Sequence, residues 1–446
     1  MADKVVILGG GESGVGAAIL AAKQGLDVFL SDAGKLSENY RSELESHGIS
    51  FEDGGHTEQR VLEATEIVKS PGIPEKNELV KKIRQKGIRI ISEIELAFRY
   101  KGDSRIVGIT GSNGKTTTTT MVYQLCKTAG INCAIVGNIG YSFARQVALD
   151  PKDWYIVEIS SFQLDDIHAF RSDIAILTNI TEDHLDRYEY KVENYIKSKF
   201  RITENQTSDD YFIYCEDDPV TKQYLSKFTF HSNPLPFSMT NETNRGAFLK
   251  NGQMTITAGE EKVQMSIYDF AVKGKHNQYN TMAACTAAVL VGVRKEKIRD
   301  AMQNFESLEH RMEFVGTVRG VDFINDSKAT NVNSTWYALE SMEQPTILIL
   351  GGVDKGNDYS ILLDLVKEKV KAIVCLGVDN GKIHEAFRDD VKIILDASSA
   401  VEAVEAAFQV ATKGDAVLLS PACASFDLFR NYEDRGAQFK HAVKNL

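Results

Sequence analysis

A glycine-rich turn followed by lysine and threonine is the clearest chemical signal in this 446-residue sequence. The apolar run Ile106–Ile109 leads into the segment 110–117 (TGSNGKTT). Backbone N–H groups of such a turn surround phosphates, while Lys115 would reach the outer phosphates and the Thr116 hydroxyl would be available to Mg²⁺. The turn departs from G-x-x-x-x-G-K-[ST] only in the leading position, which is Ile109. A nucleoside triphosphate site therefore outweighs a strand–helix turn without ligand.

A second glycine-rich turn lies near the beginning of the sequence. Gly9–Gly14 satisfies G-x-G-x-x-G directly after the run Val5–Leu8, and Asp32 ends the next apolar run. Glycines there permit a helix N-terminus to approach a pyrophosphate, and the carboxylate could accept hydrogen bonds from a ribose or a base. The motif alone favours a dinucleotide site and leaves a UDP-type or vestigial site open.

A carboxylate and an imidazole follow two further strand-like runs. Glu158 comes after Tyr155–Val157, and His184 lies in the segment 181–186 (TEDHLD). Ligands of α/β proteins collect at such strand ends, and the two side chains together would suit a divalent cation that bridges a phosphate and an acceptor. Either residue alone is more often structural, but their position downstream of the Lys115 turn favours a functional role.

Three weaker signals lie further along the chain. Lys199, in KSKFR, would ordinarily be one cation of a solvated helix face. Asn277 and Asn280 open a predicted helix, where asparagine is ordinarily a cap. The segment 325–331 (NDSKATN) follows an apolar run and has the pattern of a strand-to-helix turn with an N-cap. Each of these signals is weak by itself. A function can be inferred only from all of the candidate residues together.

Short runs rich in Val and Ile recur between longer helical patterns. Runs without in/out alternation fit strands that are covered on both faces, which predicts the α/β class with parallel sheets. The runs are Val5–Leu8, Ile106–Ile109, Tyr155–Ile159, Ile174–Thr178, Ile347–Leu350, Ala372–Leu376 and Ala416–Leu419. Breaks near Ser92–Glu95 and Glu306–Phe314 predict three domains, at 1–93, 94–306 and 307–446. The segment Phe212–Val263 predicts an antiparallel insertion on the middle domain.

The amino-acid composition limits the kinds of partner that the chain can bind. The chain has 51 Lys and Arg against 62 Asp and Glu, a net charge of −11 and a pI near 5.4. An acidic chain is a poor general binder of nucleic acid or anionic membranes. The six cysteines form no C-x-x-C pair, which predicts reduced thiols. We find no pattern of a signal peptide or membrane span, and we expect a cytoplasmic monomer without nucleic acid or membrane insertion.

In combination, these residues resemble the Mur ligases, the ATP-dependent amino-acid-adding enzymes of bacterial peptidoglycan synthesis. The resemblance covers essentially the whole chain. It is carried, in order, by 110–116, Glu158, 181–186, Lys199, His276-Asn277 with Asn280, His310-Arg311 and 325–331. The closest likeness is to members that add D-glutamate to UDP-N-acetylmuramoyl-L-alanine. That likeness rests on 70–73 (SPGI), 137–140 (GNIG), 160–164 (SSFQL), 351–356 (GGVDKG) and 419–427 (LSPACASFD).

The resemblance implies a fold and a reaction. The fold would have a Rossmann-like N-terminal domain that binds the UDP-sugar, a central P-loop domain that binds ATP and a Rossmann-like C-terminal domain that binds the amino acid. The γ-phosphoryl group of ATP would pass to a substrate carboxylate, and the amine of D-glutamate would attack the acyl phosphate. Negative charge accumulates throughout, so catalysis needs preorganised positive charge and alignment.

The resemblance also implies a role for each candidate residue. The catalytic set would be Lys115, Glu158, His184, Lys199 and Lys328, and the Mg²⁺ set Thr116, Glu158, His184 and Lys199. Lys199 would be carbamylated, with Lys197 as a competitor that the spacing to Arg201 disfavours. The ATP-binding set would be Gly111, Ser112, Asn113, Gly114, Lys115, Thr116, Thr117, Asn277, Asn280, Arg311 and Asp326. The UDP-substrate set would be Ser13, Asp32, Ser70, Pro71, Gly72 and Asn138, and the D-glutamate set Thr330, Lys355, Ser425, Phe426 and Tyr432.

Two other classes of protein compete with this interpretation. An NAD-dependent oxidoreductase would explain Gly9–Gly14 and Asp32, but it leaves the Lys115 turn unexplained. A nucleotide-switched binding protein of the GTPase kind would need a guanine-reading N-K-x-D segment, and the sequence has none.

Overall fold

The computed structural model describes residues 4–268, 270–271, 274–305 and 309–446. The chain divides into two compact units, Met1–Ala271 with Asn277–Phe305 and Val272–His276 with Glu306–Leu446. The predicted break near Glu306–Phe314 lies partly outside the described residues. Three sheets with helices between their strands confirm the α/β class.

The first sheet is parallel and five-stranded, in the order β3-β2-β1-β4-β5. Its strands are β1 (Lys4–Leu8), β2 (Asp27–Asp32), β3 (Ser50–Asp53), β4 (Glu66–Lys69) and β5 (Arg89–Ile91). Its helices are α1 (Glu12–Lys23), α2 (Glu38–Ser46), α3 (Glu58–Val61), α4 (Glu78–Gln85) and α5 (Glu93–Tyr100). The strand order reverses between β1 and β4, so the Gly9–Gly14 turn and the turn beginning at Ser70 flank one crevice at the carboxyl edge.

The second sheet has nine strands, in the order β14-β13-β12-β11-β10-β9-β6-β8-β7. The strands are β6 (Arg105–Thr110), β7 (Cys133–Gly137), β8 (Trp154–Glu158), β9 (Ile174–Leu177), β10 (Tyr211–Cys215), β11 (Asn233–Ser238), β12 (Gly246–Lys250), β13 (Gln253–Ala258) and β14 (Glu261–Ser266). The helices are α6 (Lys115–Thr128), α7 (Phe143–Leu149), α8 (Ser161–Leu164), α9 (Val192–Phe200), α10 (Pro219–Leu225), α11 (Lys275–Val291) and α12 (Lys295–Gln303).

The prediction of an antiparallel insertion over Phe212–Val263 is wrong for its first half. Strands β10 and β11 extend the parallel sheet, and only β12, β13 and β14 pair antiparallel. The reason is helix α10, whose start is fixed by the Asp218 cap and Pro219, because a helix between two strands permits a parallel crossover. Short alternating runs carry no signal for that crossover.

The first two sheets share a continuous apolar core. One cluster of buried side chains runs from Ile7 and Ile19 to Phe143 and Tyr155. Helices α1 and α7 pack closely because Gly16 has no side chain; a Cβ there would lie 1.9 Å from the Ser142 Oγ atom. The relative placement of the two glycine turns therefore rests on side-chain packing within this unit.

The second unit contains a six-stranded sheet, in the order β15-β16-β20-β17-β18-β19, with only β15 antiparallel. Its strands are β15 (Glu313–Val318), β16 (Val321–Asn325), β17 (Thr346–Leu350), β18 (Val370–Leu376), β19 (Ile394–Ala397) and β20 (Ala416–Leu419). Its helices are α13 (Val332–Glu340), α14 (Leu363–Lys369), α15 (Gly381–Phe387), α16 (Ala400–Val410) and α17 (Tyr432–Lys444). The order reverses between β17 and β20, which makes the turns after these strands the expected ligand crevice.

Within the described ranges, no helix combines the length and the apolar composition that a membrane crossing needs.

Candidate functional site

The Lys115 turn joins β6 to α6 and is already shaped for an anion. Helix α6 begins after Gly114, whose φ of 81° is a left-handed conformation that favours glycine. The Lys115 Nζ atom folds back over the turn and donates to the Gly111 and Ser112 carbonyls, each at 2.8 Å. Backbone N–H groups at the start of a 14-residue helix then provide a binding surface for phosphate.

Residues after β9 hold this turn in place. The Thr178 hydroxyl donates to the Asn113 carbonyl at 2.6 Å, and the Asn179 amide donates to the same oxygen at 3.0 Å. The Asn179 carbonyl accepts from the Ser112 N–H at 2.9 Å. Sequence reasoning missed Thr178 and Asn179, whose only available signal was their position directly after a buried strand. They fix the loop geometry before any ligand arrives.

Lys199 lies beneath the turn instead of on a solvated face. It is only 2% exposed, and its Nζ atom donates to the Gly111 carbonyl at 2.8 Å. Burial, and next the nearby Lys115 charge, hold the pKa of the Lys199 amine well below its usual range. Lys197, the other lysine considered for carbamylation, is exposed. The two lysines therefore differ sharply in environment.

Glu158 and Asn138 meet at the ends of β8 and β7. The Asn138 side-chain amide donates to the Glu158 Oε1 atom at 2.8 Å, and its backbone N–H donates to the Glu158 carbonyl at 2.9 Å. Glu158 is 1% exposed. The Glu158 and Asp183 carboxylates both act electrostatically on Lys199 and favour its charged form. The structure thus groups Lys115, Glu158 and Lys199 at one sheet edge.

His184 is held in an unusual backbone conformation beside this group. Its φ of 54° and ψ of 29° are left-handed, which is uncommon for a residue with a side chain. The Asp183 Oδ1 atom accepts from the His184 N–H at 2.9 Å, and the ring packs edge-on against Phe162 with centroids 5.1 Å apart. Local strain of this kind concentrates at functional sites.

Asn280 is not the helix cap that its position predicted. Helix α11 begins at Lys275, which places Asn280 in its second turn, 2% exposed. Its Oδ1 atom accepts from the Thr118 hydroxyl at 3.3 Å, while its buried Nδ2 atom has no hydrogen-bond acceptor among the residues that the structure describes. A Cβ on Gly114 would lie 2.3 Å from the Asn280 Oδ1 atom. Asn280 therefore lies against the Lys115 turn; Asn277 lies in the first turn of the same helix.

The Gly9–Gly14 turn has the close packing that its pattern predicts. A Cβ on Gly14 would lie 1.8 Å from the Gly9 carbonyl oxygen, and Ser13 lies in the first turn of α1. Asp32 uses both of its carboxylate oxygens on backbone: one accepts from Gly10 N–H and the other from Gly34 N–H. Asp32 thereby shapes the turn itself, in addition to any contact with a ligand.

The turn after β4 adjoins the Gly9–Gly14 turn. A Cβ on Gly9 would lie 2.7 Å from the Ser70 Cβ atom, and the Ser70 N–H donates to the Leu8 carbonyl at 2.9 Å. Pro71 is half-buried and Gly72 is exposed. Ser13, Asp32, Ser70, Pro71 and Gly72 thus lie around one crevice of the first sheet.

Asp326 and Arg311 are two charged residues of the second unit with buried polar atoms. Asp326 follows β16, and its carboxylate accepts from the Ser420 hydroxyl at 2.9 Å and from the Met312 N–H at 3.2 Å. Burial raises the pKa of the Asp326 carboxyl to about 7. Within the described part of the chain, the buried Arg311 Nε atom has no hydrogen-bond acceptor. Burial and then the Arg311 charge lower the pKa of His276, which stacks on Tyr337, to about 4.

Lys328 and Tyr432 are brought together, since the Lys328 Nζ atom lies 5.1 Å from the Tyr432 ring centroid. Thr330 belongs to the same turn and is half-buried. This turn ends at Asn331, which caps α13 by accepting from the Ser334 N–H at 2.8 Å, as the sequence predicted.

Lys355, Ser425 and Phe426 lie on the turns after β17 and β20, at the reversal of strand order. Lys355 is exposed, Ser425 is 2% exposed, and the Phe426 ring is 73% exposed. Exposure of a large aromatic ring at a crevice is more informative than its burial would be.

Arg435 organises these turns and was missed by sequence reasoning. It is 1% exposed and donates to the carbonyls of Ser327 at 2.8 Å, Cys423 at 3.2 Å and Gly351 at 3.5 Å. Burial lowers the pKa of the Arg435 guanidinium to about 10. One buried cation therefore ties together the three turns on which the second unit's candidate residues lie.

The groups around the Lys115 turn fit a magnesium ion. Mg²⁺ prefers hard oxygen ligands, and the turn brings the Thr116 hydroxyl and the buried Glu158 carboxylate to the same sheet edge. A carboxylate that is 1% exposed is stabilised by nearby positive charge, and a divalent cation would add such charge beside Lys199.

Comparison with known families agrees with the geometry. Residues 3–92 match the family model described as "Mur ligase MurD-like, N-terminal domain", residues 109–288 match "Mur ligase middle domain", and residues 310–423 match "Mur ligase, glutamate ligase domain". The chain belongs to the Mur ligase family and is a ligase.

Two relatives are similar to this chain over nearly its full length. The chain is 54% identical over 446 residues to the UDP-N-acetylmuramoylalanine--D-glutamate ligase of Christiangramia forsetii, covering 100% of both chains. It is 51% identical over 444 residues to the protein of that name from Bacteroides fragilis strain ATCC 25285, covering 99% of this chain and 100% of the relative.

Solved structures show the same fold at low identity. The UDP-N-acetylmuramate-alanine ligase of Thermotoga maritima superposes with a TM-score of 0.63 at 16% identity, covering 99% of each chain. The MurF ligase of Thermotoga maritima in complex with ADP gives a TM-score of 0.60 at 15% identity, covering 94% of this chain and 95% of that chain.

The raised pKa of Asp326 predicts a pH-dependent stability. Between pH 4 and 7 the unfolded chain ionises this carboxyl while the folded unit keeps it protonated, so the stabilisation is full at low pH and is lost as pH rises through 7. Relative to Asp326→Asn, the wild-type free energy of unfolding should fall by about 2 to 4 kcal/mol across that range. Urea titrations followed by Trp336 fluorescence, in a Trp154→Phe background, measure this; parallel pH profiles would contradict it.

Proposed function

We propose that this chain joins D-glutamate to UDP-N-acetylmuramoyl-L-alanine with hydrolysis of ATP to ADP and phosphate. The observation that carries the proposal is the identity of 54% over the full length with a relative bearing that activity in its name. The two separate glycine turns support it as well, because a UDP-sugar and a nucleoside triphosphate each need a phosphate-binding turn. The reaction would take place in the cytoplasm, and the chain would act as a monomer.

The proposed domain roles follow the predicted bounds. Residues 1–93 bind the UDP-sugar at Ser13, Asp32, Ser70, Pro71 and Gly72, with Asn138 reaching the substrate from the middle domain. Residues 94–306 bind ATP through Gly111–Thr117, Asn277 and Asn280. Residues 307–446 also take part in ATP binding, through Arg311 and Asp326. The same domain binds D-glutamate through Thr330, Lys355, Ser425, Phe426 and Tyr432.

In the first step, a substrate carboxylate oxygen attacks the γ-phosphorus of ATP, and ADP leaves. Lys115 and the backbone N–H groups at the start of α6 stabilise the charge that spreads over the phosphate oxygens. A preformed turn is favourable here because its donors need no reorganisation as charge develops, and Thr178 and Asn179 provide that rigidity.

In the second step, the amine of D-glutamate attacks the acyl carbon, and phosphate leaves from the tetrahedral intermediate. Lys328 lies near the transferred phosphoryl group and stabilises its charge, while Thr330 and Lys355 orient the amino acid through its carboxylates. The acyl phosphate serves as the activated intermediate, so Cys423, which is 1% exposed, is a packed thiol and not a nucleophile.

Mg²⁺ would be held by Thr116, Glu158, His184 and Lys199. When bound, the ion neutralises phosphate charge and aligns the reacting oxygens. Burial favours the neutral amine of Lys199, and the neutral amine is the form that reacts with carbon dioxide to give a carbamate. The carbamate would carry oxygens that suit a hard cation, whereas an ammonium group has none.

The proposed reaction predicts a strict substrate requirement. Phosphate release should need ATP, UDP-N-acetylmuramoyl-L-alanine and D-glutamate together. The rate with L-glutamate should be at least about tenfold lower, because a site that binds D-glutamate through both carboxylates would misplace the amine of the other stereoisomer. A coupled phosphate assay over a panel of amino acids measures this. Phosphate release that does not depend on the added amino acid would contradict the proposal.

Substitution of the two neighbouring lysines tests the role of Lys199. Lys199→Ala should lower the rate at least about a hundredfold, because it removes the carbamate oxygens that would hold Mg²⁺ at the phosphates. Short carboxylic acids should restore part of the activity by replacing the carbamate oxygens. Lys197→Ala is the matched control, since Lys197 is exposed on the same helix, and it should keep the wild-type rate. Equal losses in both variants would contradict the assignment.

A further inference from the structure

Two cations hold the turn 70–73 at its backbone carbonyls. The Arg187 Nη2 atom donates to the Pro71 carbonyl at 3.1 Å and to the Ile73 carbonyl at 3.5 Å. The Lys69 Nζ atom donates to the Ile73 carbonyl at 3.2 Å. Arg187 belongs to the sequence that follows the second sheet's β9, whereas the turn follows β4 of the first sheet. Arg187 therefore connects the two sheets at the turn proposed to bind the UDP-sugar.

The same arginine is linked to His184. It ends the 3₁₀ helix Leu185–Arg187, and its backbone N–H donates to the His184 carbonyl at 2.9 Å. Its guanidinium lies over the Phe162 ring, 4.3 Å from the centroid, and the His184 ring packs against that same Phe162 ring. One side chain thus contacts both the turn 70–73 and the aromatic ring that supports His184.

A purely structural role for Arg187 is poorly supported, because another contact already joins the two sheets here. Lys69 and Asp166 form a buried ion pair at 3.1 Å, with side chains 3% and 2% exposed. Arg187 differs in kind: among the described residues, no carboxylate oxygen lies within 4.0 Å of its guanidinium. Its positive charge is shared between carbonyl oxygens and an aromatic face.

We propose that Arg187 is a positioning residue that sets the conformation of the turn 70–73 for the UDP-sugar, with the Phe162 ring supporting its guanidinium. The inference rests on the proposed function, because it assumes that this turn binds the nucleotide-sugar. On this proposal, Arg187 affects the affinity for the UDP-sugar substrate. The affinities for ATP and D-glutamate do not depend on it.

The test compares Arg187→Met, Arg187→Lys and a control, Arg171→Met. Arg187→Met removes the hydrogen bonds to the turn and should raise the KM and the Kd for UDP-N-acetylmuramoyl-L-alanine by about tenfold to a hundredfold. The KM values for ATP and D-glutamate should stay within about twofold, since their sites keep their own contacts. Arg187→Lys keeps the charge and one donor, so its Kd should lie between those of wild type and Arg187→Met.

The control and the stability measurement separate positioning from folding. Arg171 pairs with Asp210 at 3.1 Å, away from both glycine turns, and Arg171→Met should leave all three KM values unchanged. Arg187→Met and Arg187→Lys should keep the wild-type melting temperature within about 3 °C, because Arg187 is partly exposed and pairs with no carboxylate among the described residues. An unchanged Kd for the UDP-sugar in Arg187→Met, or an equal rise in all three KM values, would overturn the inference.

Calorimetric titration with UDP-N-acetylmuramoyl-L-alanine alone distinguishes failure of the proposed function from failure of the proposal for Arg187. Failure of the wild-type chain to bind this compound would refute the proposed function and the inference together. Binding by wild type that Arg187→Met leaves unaltered would refute only the inference.

Discussion

The burial of Lys199 beneath the Lys115 turn is the constraint on which the candidate site depends. An ammonium group loses hydration when it is buried, and a neighbouring lysine makes its charge still less favourable. The surrounding groups compensate: the Gly111 carbonyl accepts a hydrogen bond at 2.8 Å, and the Glu158 and Asp183 carboxylates favour the charged form. The net effect still lowers the pKa of the Lys199 amine, so its neutral form is favoured at the centre of the candidate site.

Two of the three sheets place their candidate residues at a reversal of strand order. In the first sheet the order reverses between β1 and β4, and in the third between β17 and β20, so the turns that follow these strands diverge and leave a crevice. Backbone N–H groups and small residues line such crevices, which suits phosphate and carboxylate groups. Buried arginine and lysine side chains then fix the turns: Arg435 binds three carbonyls in the second unit, and Lys69 binds one in the first.

Local sequence patterns predicted the buried parallel strands and the glycine turns, because both depend on residues that are neighbours in sequence. The run Ile106–Ile109, for example, lies within β6 (Arg105–Thr110). Patterns could not show that Lys199 is buried, that Asn280 lies inside a helix, or that β10 and β11 pair in parallel, since those facts depend on what packs against them. Asn179, Arg187 and Arg435 were missed for the same reason: each acts on backbone carbonyls distant in sequence.

The central claim is that the Lys115 turn, Glu158 and Lys199 form one site for the terminal phosphates of ATP and a divalent ion. A crystal structure with a non-hydrolysable ATP analogue and Mn²⁺, read by anomalous scattering, tests it most directly. We expect an anomalous peak at coordination distance, roughly 2.0–2.3 Å, from a Glu158 oxygen and from an oxygen of a carbamate on Lys199. An ion bound elsewhere, with the terminal phosphorus remote from both side chains, would contradict it.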